Sequence, residues 1–549
     1  MHSSLTIPHL TVLVAGTTIA LFHIYFSNRD NAQARFWKAH PMSDARSEWF
    51  WWARVVMRSV FGSKSMVDDG YNTYSSRNNI FGAPSIDRGA FVVIPPQQLK
   101  SIYDLPESVV DAHWTQSENI QAKYTIGDPE VFSQSFHVNV IRNQITRSLD
   151  YLTAGITEEI TLGFEKHWGV DDKEWRRVAA WPSCLQIVAE AVNRVFIGAP
   201  HCRNKEFLEA TKWHAEWVFS NAFLIHAVPW IFKPVLGNLI WLYGRRVRSK
   251  CLKPMLPLIK ERLSRFLQQA NDPSADWDPP QDGLQWLIEE AWKTGNAKYI
   301  DPSRIGHRLL ILNFVSMHTT SFTLANALQD LFSEVPSIGS VEDLREECAR
   351  VLKEAGGVWT KDAVSKLHLV DSTIRESMRI SSFSILALPR RVVAEEGITI
   401  DDDVHIPKGI YLATPMDAIH LDAKFYSDPT KFHPFRFCHS SHVQGTRTQE
   451  LYKNRDGDAT MPPLDLDKTS AKAKSTVTLD DKFLSFGFGR NACPGRFFAL
   501  HEIKLMMAHI LLNYDIQYFK KRPEQFKIMW VQLPHEKTHF TIKRRLGTI

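Results

Sequence analysis

Apolar residues recur at every third or fourth position over long stretches of this chain, which is the spacing of an amphipathic α-helix. The longest such stretch covers residues 305–332, and shorter ones cover 138–152, 181–198 and 496–512. Gly198 closes one of them and suits a helix C-terminus, because glycine adopts left-handed backbone conformations at little steric cost. The pattern therefore predicts a mainly helical protein.

Three short segments have the features of β-strands instead. Residues 90–94 form a run rich in β-branched and aromatic side chains, and residues 537–543 have strand character as well. Residues 398–412 predict a β-hairpin with its turn at 407–409, which reads Pro-Lys-Gly. We therefore expect small β-sheets beside the helices, an α+β class that is mainly α.

The N-terminus carries a strongly apolar run. Residues 10–26 contain no charge, and as a helix they would span about 26 Å, slightly short of a ~30 Å hydrocarbon core. Arg29, Arg35 and Lys38 follow, so the positive-inside rule places the rest of the chain in the cytosol. We predict a membrane anchor at residues 1–28, with a cleaved signal peptide or a buried helix as the alternatives.

Two further stretches bear on the organisation of the chain. Residues 217–243 are rich in aromatic and aliphatic side chains, but prolines and a lysine interrupt them, so they make a poor second membrane span. Residues 438–481 are polar and rich in Lys, Asp and Thr, and we interpret them as a surface insertion. Length alone would favour roughly three to four domains.

Charge and cysteine content exclude several classes of function. The chain has 65 Lys and Arg against 60 Asp and Glu, with no long basic block, so nucleic-acid binding has no support. Its six cysteines are widely spaced and include no Cys-x-x-Cys pair. Neither a zinc site nor a dense disulfide framework is indicated.

One cysteine lies in an unusual environment. Cys493 follows a loop rich in glycine and phenylalanine and precedes the predicted helix at 496–512. Gly487, Gly489 and Gly495 permit turns that a Cβ would forbid and allow close approach to a flat partner. A thiolate before a helix N-terminus is stabilised by the helix dipole and is a strong metal ligand. The alternative is a buried structural cysteine beside a glycine turn.

The middle of the longest predicted helix is polar. Residues 315–321 read Val-Ser-Met-His-Thr-Thr-Ser inside an otherwise apolar helix. Buried hydroxyl and imidazole groups cost free energy unless they are paired, and mid-helix Ser and Thr can bend a helix by bonding back to its carbonyls. His318 either relays protons near neutral pH or is a satisfied core histidine, and both readings stay open.

The run from Phe486 to Gly495, Phe-x-x-Gly-x-x-x-Cys-x-Gly, closely resembles the haem-thiolate loop of the cytochrome P-450 monooxygenases. The resemblance implies one large, mostly helical catalytic domain at residues 61–549, behind the anchor at 1–28 and a juxtamembrane linker at 29–60. That linker either lies against the membrane or packs on the domain. It also implies haem b (iron protoporphyrin IX), with Cys493 as the axial iron ligand.

The same loop implies a set of cofactor-binding residues, namely Phe486, Gly489, Arg490, Asn491 and Gly495. Asn491 departs from the family pattern, which usually has Arg or His two residues before the cysteine to hold a haem propionate. Asparagine can donate a hydrogen bond but carries no charge. Arginines at 390, 391, 142 or 147 are further candidates for the propionates.

Two more motifs follow the order of the family. In the central helix, the resemblance makes Thr319 the threonine that helps deliver protons, with His318 in the place of the family's acid. Glu376 and Arg379 match its Glu-x-x-Arg motif, and Arg436 completes a structural triad. A strand at 381–393 is expected to cross the haem, with substrate-pocket candidates at Phe383, Ile385 and Leu386.

The resemblance implies a haem-thiolate monooxygenase that hydroxylates or epoxidises a lipophilic small molecule with O₂. Its electrons would come from NADPH-cytochrome P-450 reductase, with cytochrome b5 as a second donor. The expected location is the endoplasmic reticulum membrane, single-pass, with a cytosolic catalytic domain. The loop looks most like filamentous-fungal members that act in secondary metabolism on terpenoids, alkaloids or polyketides. The alternatives are a haem-thiolate isomerase or dehydratase, and a non-catalytic membrane haem-binding protein.

Overall fold

The structure, a computed structural model, describes most of the chain, namely residues 32–43, 51–128, 130–228, 231–334, 339–400, 403–453 and 474–546. The predicted anchor at 1–28 lies outside these ranges. Among the helices within them, none has both the length and the apolar composition that crossing a bilayer requires.

Helices make up most of the described residues, as the periodicity predicts. In chain order they are α1 Ala32–Ala39, α2 Trp51–Phe61, α3 Ser63–Thr73, α4 Leu99–Tyr103, α5 Ala112–Asn119, α6 Ala122–Thr125, α7 Phe136–Asn139, α8 Leu149–Trp168, α9 Ala180–Ile197, α10 Lys205–Ala227, α11 Lys233–Leu252, α12 Leu256–Asn271, α13 Gly283–Lys293, α14 Pro302–Leu331, α15 Ser340–Glu354, α16 Lys361–Ser365, α17 His368–Ile380, α18 Met416–His420, α19 Ser440–Val443, α20 Arg447–Lys453 and α21 Arg496–Asn513. A π-helical stretch, Val140–Ile145, follows α7.

The longest of these helices, α14, runs through the hydrophobic core. Its N-terminus is well specified, because the Asp301 side chain accepts a hydrogen bond from the amide of Arg304 at 3.0 Å and Pro302 occupies the first turn. The helix packs against α9, α17 and α21. It therefore provides the frame on which the rest of the domain is arranged.

The strands form small sheets, as predicted. They are β1 Phe81–Ser85, β2 Gly89–Val93, β3 Val110–Asp111, β4 Arg176–Ala179, β5 Ala387–Val392, β6 Ile398–Ile400, β7 Val404–Ile406, β8 Tyr411–Thr414, β9 Tyr514–Ile516, β10 Phe526–Ile528, β11 Val531–Leu533 and β12 His539–Arg544. The largest sheet has the order β1-β2-β8-β5-β3, in which only β2 and β8 pair in parallel. The other sheets are β4-β12-β9 and the hairpins β6-β7 and β10-β11.

The prediction of a hairpin at 398–412 placed its turn at the wrong position. Ile398 pairs with Ile406 and Ile400 with Val404, so the chain reverses before residue 404. The Pro-Lys-Gly run at 407–409 instead leads into β8, which pairs with β2 and β5. A local turn signal could not distinguish a hairpin turn from a connection between two sheets.

The domain begins earlier than the predicted boundary at residue 61. In the described part of the predicted linker, Phe36 is buried in a hydrophobic cluster and Val55 is fully buried in another. The hydroxyl of Ser43 donates to the carbonyl of Met66 at 2.6 Å. These contacts support the alternative that the segment packs on the domain.

The described parts of the polar stretch 438–481 are also attached to the domain. The carboxylate of Asp343 accepts hydrogen bonds from the amides of Arg447 and Thr448, both at 3.0 Å, at the start of α20. Thr476 is buried and its amide donates to Asp371 at 2.7 Å. The two described ends of the predicted surface insertion therefore pack on the domain, and its middle, residues 454–473, lies outside the described ranges.

The predicted triad is present as a buried ion pair with a second arginine. Both Arg379 nitrogens Nε and Nη2 donate to the Glu376 carboxylate at 2.8 Å, and Nε of Arg436 contacts both its oxygens at 3.0 Å. Burial alone would raise the pKa of Glu376, but the charge and hydrogen bonds of Arg379 outweigh it and lower that pKa to about 2. The carboxylate is therefore ionised in the folded protein at any ordinary pH.

We predict that Glu376→Gln costs about 3–5 kcal/mol of unfolding free energy, because it leaves Arg379 buried without a counter-charge. The folded pKa lies below that of an unfolded glutamate, about 4.3, so this stabilisation is fully present above that value. It is lost as the pH falls through about 2. Denaturant unfolding should therefore show that the difference in unfolding free energy between the wild type and Glu376→Gln is constant from pH 6 to 8. This difference should narrow only below about pH 4.

A surface pair provides the matched control. Arg350 and Glu354 form an ion pair at 3.1 Å in which both side chains are more than half exposed. Glu354→Gln should leave the unfolding midpoint unchanged, because solvent screens such pairs. Equal effects of the two substitutions would contradict the structural role of Glu376.

Candidate active site

The cysteine loop closes on itself through backbone hydrogen bonds. The amide of Cys493 donates to the carbonyl of Phe486 at 2.8 Å, and the amide of Gly487 donates to Leu484 at 2.8 Å. Gly487 and Gly489 have φ angles of 82° and 66°, a region that side chains with a Cβ rarely adopt. The structure thus confirms the predicted turns at these two glycines.

Gly495 is different, because its φ of −88° is open to any residue. A Cβ added there would meet only Ile141, at 3.7 Å, which is an ordinary contact. The space beside Gly495 is therefore open on this side of the loop. A glycine at this position is therefore not required by backbone strain. Its lack of a side chain keeps the space free, so a flat group could lie against the loop.

Cys493 is the one cysteine of the six that is partly exposed. The other five cysteines are buried. Burial raises the pKa of the Cys493 thiol, and the backbone amides of Gly495 and Arg496, directed at the sulfur, oppose that rise. A metal ion bound to the sulfur would deprotonate it, and the same two amides would then donate to the thiolate.

The central helix α14 presents an unusual open face. Val315 is 45% exposed and Thr319 is also exposed, although this helix lies in the core. Residues four apart share a helix face, so the two side chains lie on the same exposed face of α14. The Thr319 hydroxyl donates to the carbonyl of Val315 at 2.8 Å, as predicted for a threonine in mid-helix.

His318 lies on another side of the same helix. It is buried, with its ring centroid 6.4 Å from those of Trp181 and Phe219 and 6.0 Å from that of Phe322. Burial, with the nearby charge of Lys212, lowers its pKa to about 4, so the imidazole is neutral at pH 7. Of the two readings that the sequence left open, the structure favours the core histidine over the proton relay.

The cleft beside α14 is bordered by three parts of the chain. Its lining residues come from α14, from the C-terminal turn of α17 with the residues after it, and from the start of the cysteine loop: Phe322, Thr323, Asn326, Ser377, Met378, Ser381, Phe383 and Ser485. Phe383 is 37% exposed, in line with its predicted place in a pocket. Ile385 and Leu386 differ from the prediction, because both are buried in a cluster with Phe91 and Trp530.

The side chain of Asn491 is hydrogen-bonded to another part of the protein. Its side-chain amide donates to Oε1 of Glu107 at 2.5 Å, and Oε2 of Glu107 accepts from the amide of Ala112 at 2.8 Å. Burial would raise the pKa of Glu107, but these hydrogen bonds with the charges of His113 and Arg390 lower it. Asn491 therefore anchors the cysteine loop to the segment before α5, and no sequence pattern predicts this contact.

The candidate cations for an anionic cofactor group differ in burial. Arg142, Arg147 and Arg490 are exposed. Arg390 is buried beside Glu107, with its guanidinium 5.1 Å from the ring centroid of Tyr103. The guanidinium of Arg391 stacks over Trp114 at 4.8 Å. Arg390 is thus the candidate that shares a neighbour with the cysteine loop.

The site fits the haem that the loop predicts. The partly exposed sulfur of Cys493, the open side of Gly495 and the exposed Val315–Thr319 face leave room for a flat group with one axial ligand. The cleft lining joins Ser485, next to the cysteine loop, with Phe322 and Thr323 of α14. Groups of three or more His, Cys, Asp or Glu that could hold a metal ion are absent from the described residues.

Comparison with known proteins points the same way. A family model described as cytochrome P450 matches residues 177–542. The chain is 34% identical over 537 residues to cytochrome P450 monooxygenase okaG of Penicillium ochrochloron, covering 98% of each chain. It is 33% identical to cytochrome P450 monooxygenase gloP of Glarea lozoyensis, covering 94% of this chain and 93% of that one. It is 35% identical to cytochrome P450 monooxygenase htyF of Aspergillus rugulosus, covering 89% and 70%.

We predict that a maleimide modifies one of the six thiols in the native protein freed of its cofactor, and that this thiol is Cys493. The other five thiols are buried and should react only after unfolding. Peptide mass spectrometry would locate the label, which the bound cofactor should block. Cys348→Ser is the control and should leave the labelling unchanged, whereas equal labelling of several cysteines would contradict the geometry of the loop.

Proposed function

The chain belongs to the cytochrome P450 family, and we propose that within it the chain hydroxylates or epoxidises a lipophilic small molecule. It is a monooxygenase, and its cofactor is haem b. The observation that carries the proposal is the cysteine loop, in which Cys493 is the one partly exposed cysteine and the space beside Gly495 is open. A cysteine next to such an open space matches the needs of a thiolate-ligated haem.

In this proposal Cys493 would ligate the haem iron, and the cysteine loop would support it. The amides of Gly495 and Arg496 would stabilise the thiolate, and the bond from the Cys493 amide to the Phe486 carbonyl holds the backbone of the cysteine in place. Bound haem supplies the activation of O₂, which no side chain provides. The protein positions the haem and the substrate, restricts the entry of water and delivers protons.

Thr319 is the group that we propose to handle protons. Its side chain is exposed, and its hydroxyl donates to the carbonyl of Val315 in the same helix. Rotation about χ1 would release that donor, so the hydroxyl can accept one proton and pass on another without a net change of charge. His318 has a supporting role here, as part of the aromatic cluster that packs behind Thr319.

The substrate is proposed to be lipophilic because apolar side chains are exposed along α14 and beside it. Val315 and Phe383 are partly exposed, and Phe219 packs on Phe314 of α14, with ring centroids 4.8 Å apart, while remaining half exposed. Burial of such surface favours an apolar ligand by about 25 cal/mol per Å². A role in fungal secondary metabolism, on terpenoids, alkaloids or polyketides, is part of the proposal and is supported by the fungal sources of the similar proteins.

The electron donor and the location are also proposals. NADPH-cytochrome P-450 reductase, with cytochrome b5 as a second donor, would supply electrons at the endoplasmic reticulum membrane. The apolar run at residues 10–26 supports a single-pass anchor with a cytosolic domain. Ile231, Phe232 and several side chains of α11 are more than half exposed, which favours a membrane beside this part of the domain.

We predict that the reduced, carbon-monoxide-bound protein has the strongly red-shifted Soret band of a thiolate-ligated haem, and that Cys493→Ser abolishes this band and the monooxygenase activity. Serine keeps the size of the side chain but removes the thiolate. Difference spectra of microsomes containing each form measure the effect. Full turnover by the serine variant would overturn the assignment of Cys493.

Cofactor dependence separates the proposal from its alternatives. A haem-thiolate isomerase or dehydratase would turn over without NADPH and O₂, whereas the proposed reaction needs both. A non-catalytic haem-binding protein would show the Soret band without any product. The named relatives are monooxygenases, which favours dependence on both co-substrates.

We predict that Thr319→Ala lowers the product formed per NADPH by roughly tenfold and raises peroxide release, because proton delivery then loses its hydroxyl. His318→Ala, on the adjacent residue, should change this ratio far less, since the imidazole faces Trp181 and Phe219. Product, NADPH and peroxide are measured in one assay. An equal loss of product per NADPH in both variants would instead support His318 as a proton relay.

A further inference from the structure

His420 is a fully buried histidine at the end of α18, and nothing in the proposed reaction uses it. Its imidazole stacks on the ring of Phe483, with ring centroids 5.6 Å apart and ring planes inclined by 12°. Stacking alone does not require a polar ring, because a phenylalanine at this position would offer the same aromatic surface. The identity of this residue therefore has a second cause.

The polar edge of the ring contacts the start of the cysteine loop. The backbone amide of Leu484 donates to Nε2 of His420 at 2.9 Å, across 64 positions of the chain. Only an unprotonated ring nitrogen can accept this bond, so the ring is neutral with its proton on Nδ1. Burial lowers the pKa of His420 to about 3 against the charge of Asp417, and the charge of Arg379 adds to the effect of burial. The acceptor is therefore present at neutral pH.

Leu484 in turn begins the loop that carries Cys493. The carbonyl of Leu484 accepts from the amide of Gly487 at 2.8 Å, and the carbonyl of Phe486 accepts from the amide of Cys493 at 2.8 Å. Each of these bonds joins one turn of the loop to the next. The bond between Leu484 and His420 therefore fixes the point from which the loop departs.

The backbone of His420 is held by the buried ion pair. Nη1 of Arg379 donates to the carbonyl of His420 at 2.7 Å, and the other nitrogens of Arg379 bind Glu376. His420 thus contacts the ion pair through its carbonyl and the cysteine loop through its imidazole. A second link between α17 and the loop, from the Ser485 hydroxyl to the Met378 carbonyl, is longer, at 3.1 Å.

We propose that His420 is a positioning residue for the cysteine loop, and that its Nε2 holds Leu484 where the loop presents the sulfur of Cys493 to the haem iron. His420 acts through the backbone of the loop and not by contact with the iron or the substrate. This inference rests on the proposed function, because it needs Cys493 as the iron ligand. Without the acceptor, the amide of Leu484 would be buried and unpaired, so the start of the loop would shift to satisfy it.

His420→Phe tests the proposal in the full chain, because phenylalanine keeps an aromatic ring against Phe483 and removes the acceptor. We expect hydrogen–deuterium exchange of the peptide that contains Leu484, followed by mass spectrometry, to become at least about tenfold faster. This measurement needs neither substrate nor reductase.

A spectroscopic measurement follows the consequence for the sulfur. In the haem-loaded protein, we expect the red-shifted Soret band of the reduced, carbon-monoxide-bound form to be lost at least about tenfold faster in His420→Phe than in the wild type. The denaturant concentration is chosen so that the far-UV circular dichroism of the wild type stays unchanged. Loss of the band only together with the helical signal would mean a general loss of stability, and would contradict the proposal.

Two further substitutions separate the acceptor from the shape of the side chain. Oε1 of glutamine lies as many bonds from Cα as Nε2 of histidine, so His420→Gln should restore slow exchange and a stable band. The oxygen of asparagine lies one bond closer to Cα, so His420→Asn should behave like His420→Phe. Equal behaviour of His420→Gln and His420→Asn would overturn the proposal, and this comparison decides even if His420→Phe does not fold.

His509→Phe is the matched control, because it makes the same substitution at another buried and stacked histidine. The ring of His509 in α21 stacks on Phe164, with centroids 5.0 Å apart, and its Nε2 has no hydrogen-bond partner among the described residues. Its variant should keep the exchange near Leu484 and the Soret band within about twofold of the wild type.

Failure of the proposed function would look different from failure of this inference. If Cys493 were not the iron ligand, the wild type itself would lack the red-shifted band, while the exchange measurement would still test the bond between His420 and Leu484. A wild type with the band, together with a His420→Phe variant that keeps it as long, would overturn the inference alone.

Discussion

The carboxylate of Glu376 lies in the interior between two arginines, and the position of α17 depends on this contact. Arg379 also donates to the carbonyls of His420 and Pro429, at 2.7 and 2.6 Å, so the same guanidinium ties α17 to the irregular segment after α18. A buried charge without its partner costs several kcal/mol, so movements that open the pair are strongly disfavoured. Because α17 carries Ser377 and ends next to Ser381, this ion pair fixes one wall of the cleft.

Features with a local cause could be predicted from the sequence. The helix predicted at 305–332 is observed as Pro302–Leu331. It could be predicted because its apolar periodicity and its Asp301 cap both depend on residues that are close together in the sequence. The turns at Gly487 and Gly489 are confirmed for the same reason, since their positive φ angles depend on the residue type. Glu376, Arg379 and Arg436 meet as expected, although their contact was inferred from a resemblance and not from spacing.

Features that depend on contacts between distant residues could not be predicted in this way. Asn491 bonds to Glu107 across 384 positions, and Arg522 bonds to Asp330 across 192. The direction of His318 was also undecided, because a helix position fixes a face only once its neighbours are known. The polar positions 319, 323, 326 and 330 were detectable, since they repeat with helical spacing inside an apolar helix.

The buried polar side chains of α14 connect it to different parts of the chain. Asn193 donates one hydrogen bond to Asn313 at 2.7 Å, at the interface of α14 with α9. Asn326 and Asp330 accept from Arg522, and Asp330 also accepts from Ser381, so these bonds join α14 to the C-terminal part of the chain and to the residue after α17. Removing one partner of such a buried bond leaves the other unpaired, at a cost of about 1–3 kcal/mol. The position of α14 therefore depends on bonds to Arg522 and Ser381 as well as on its apolar packing.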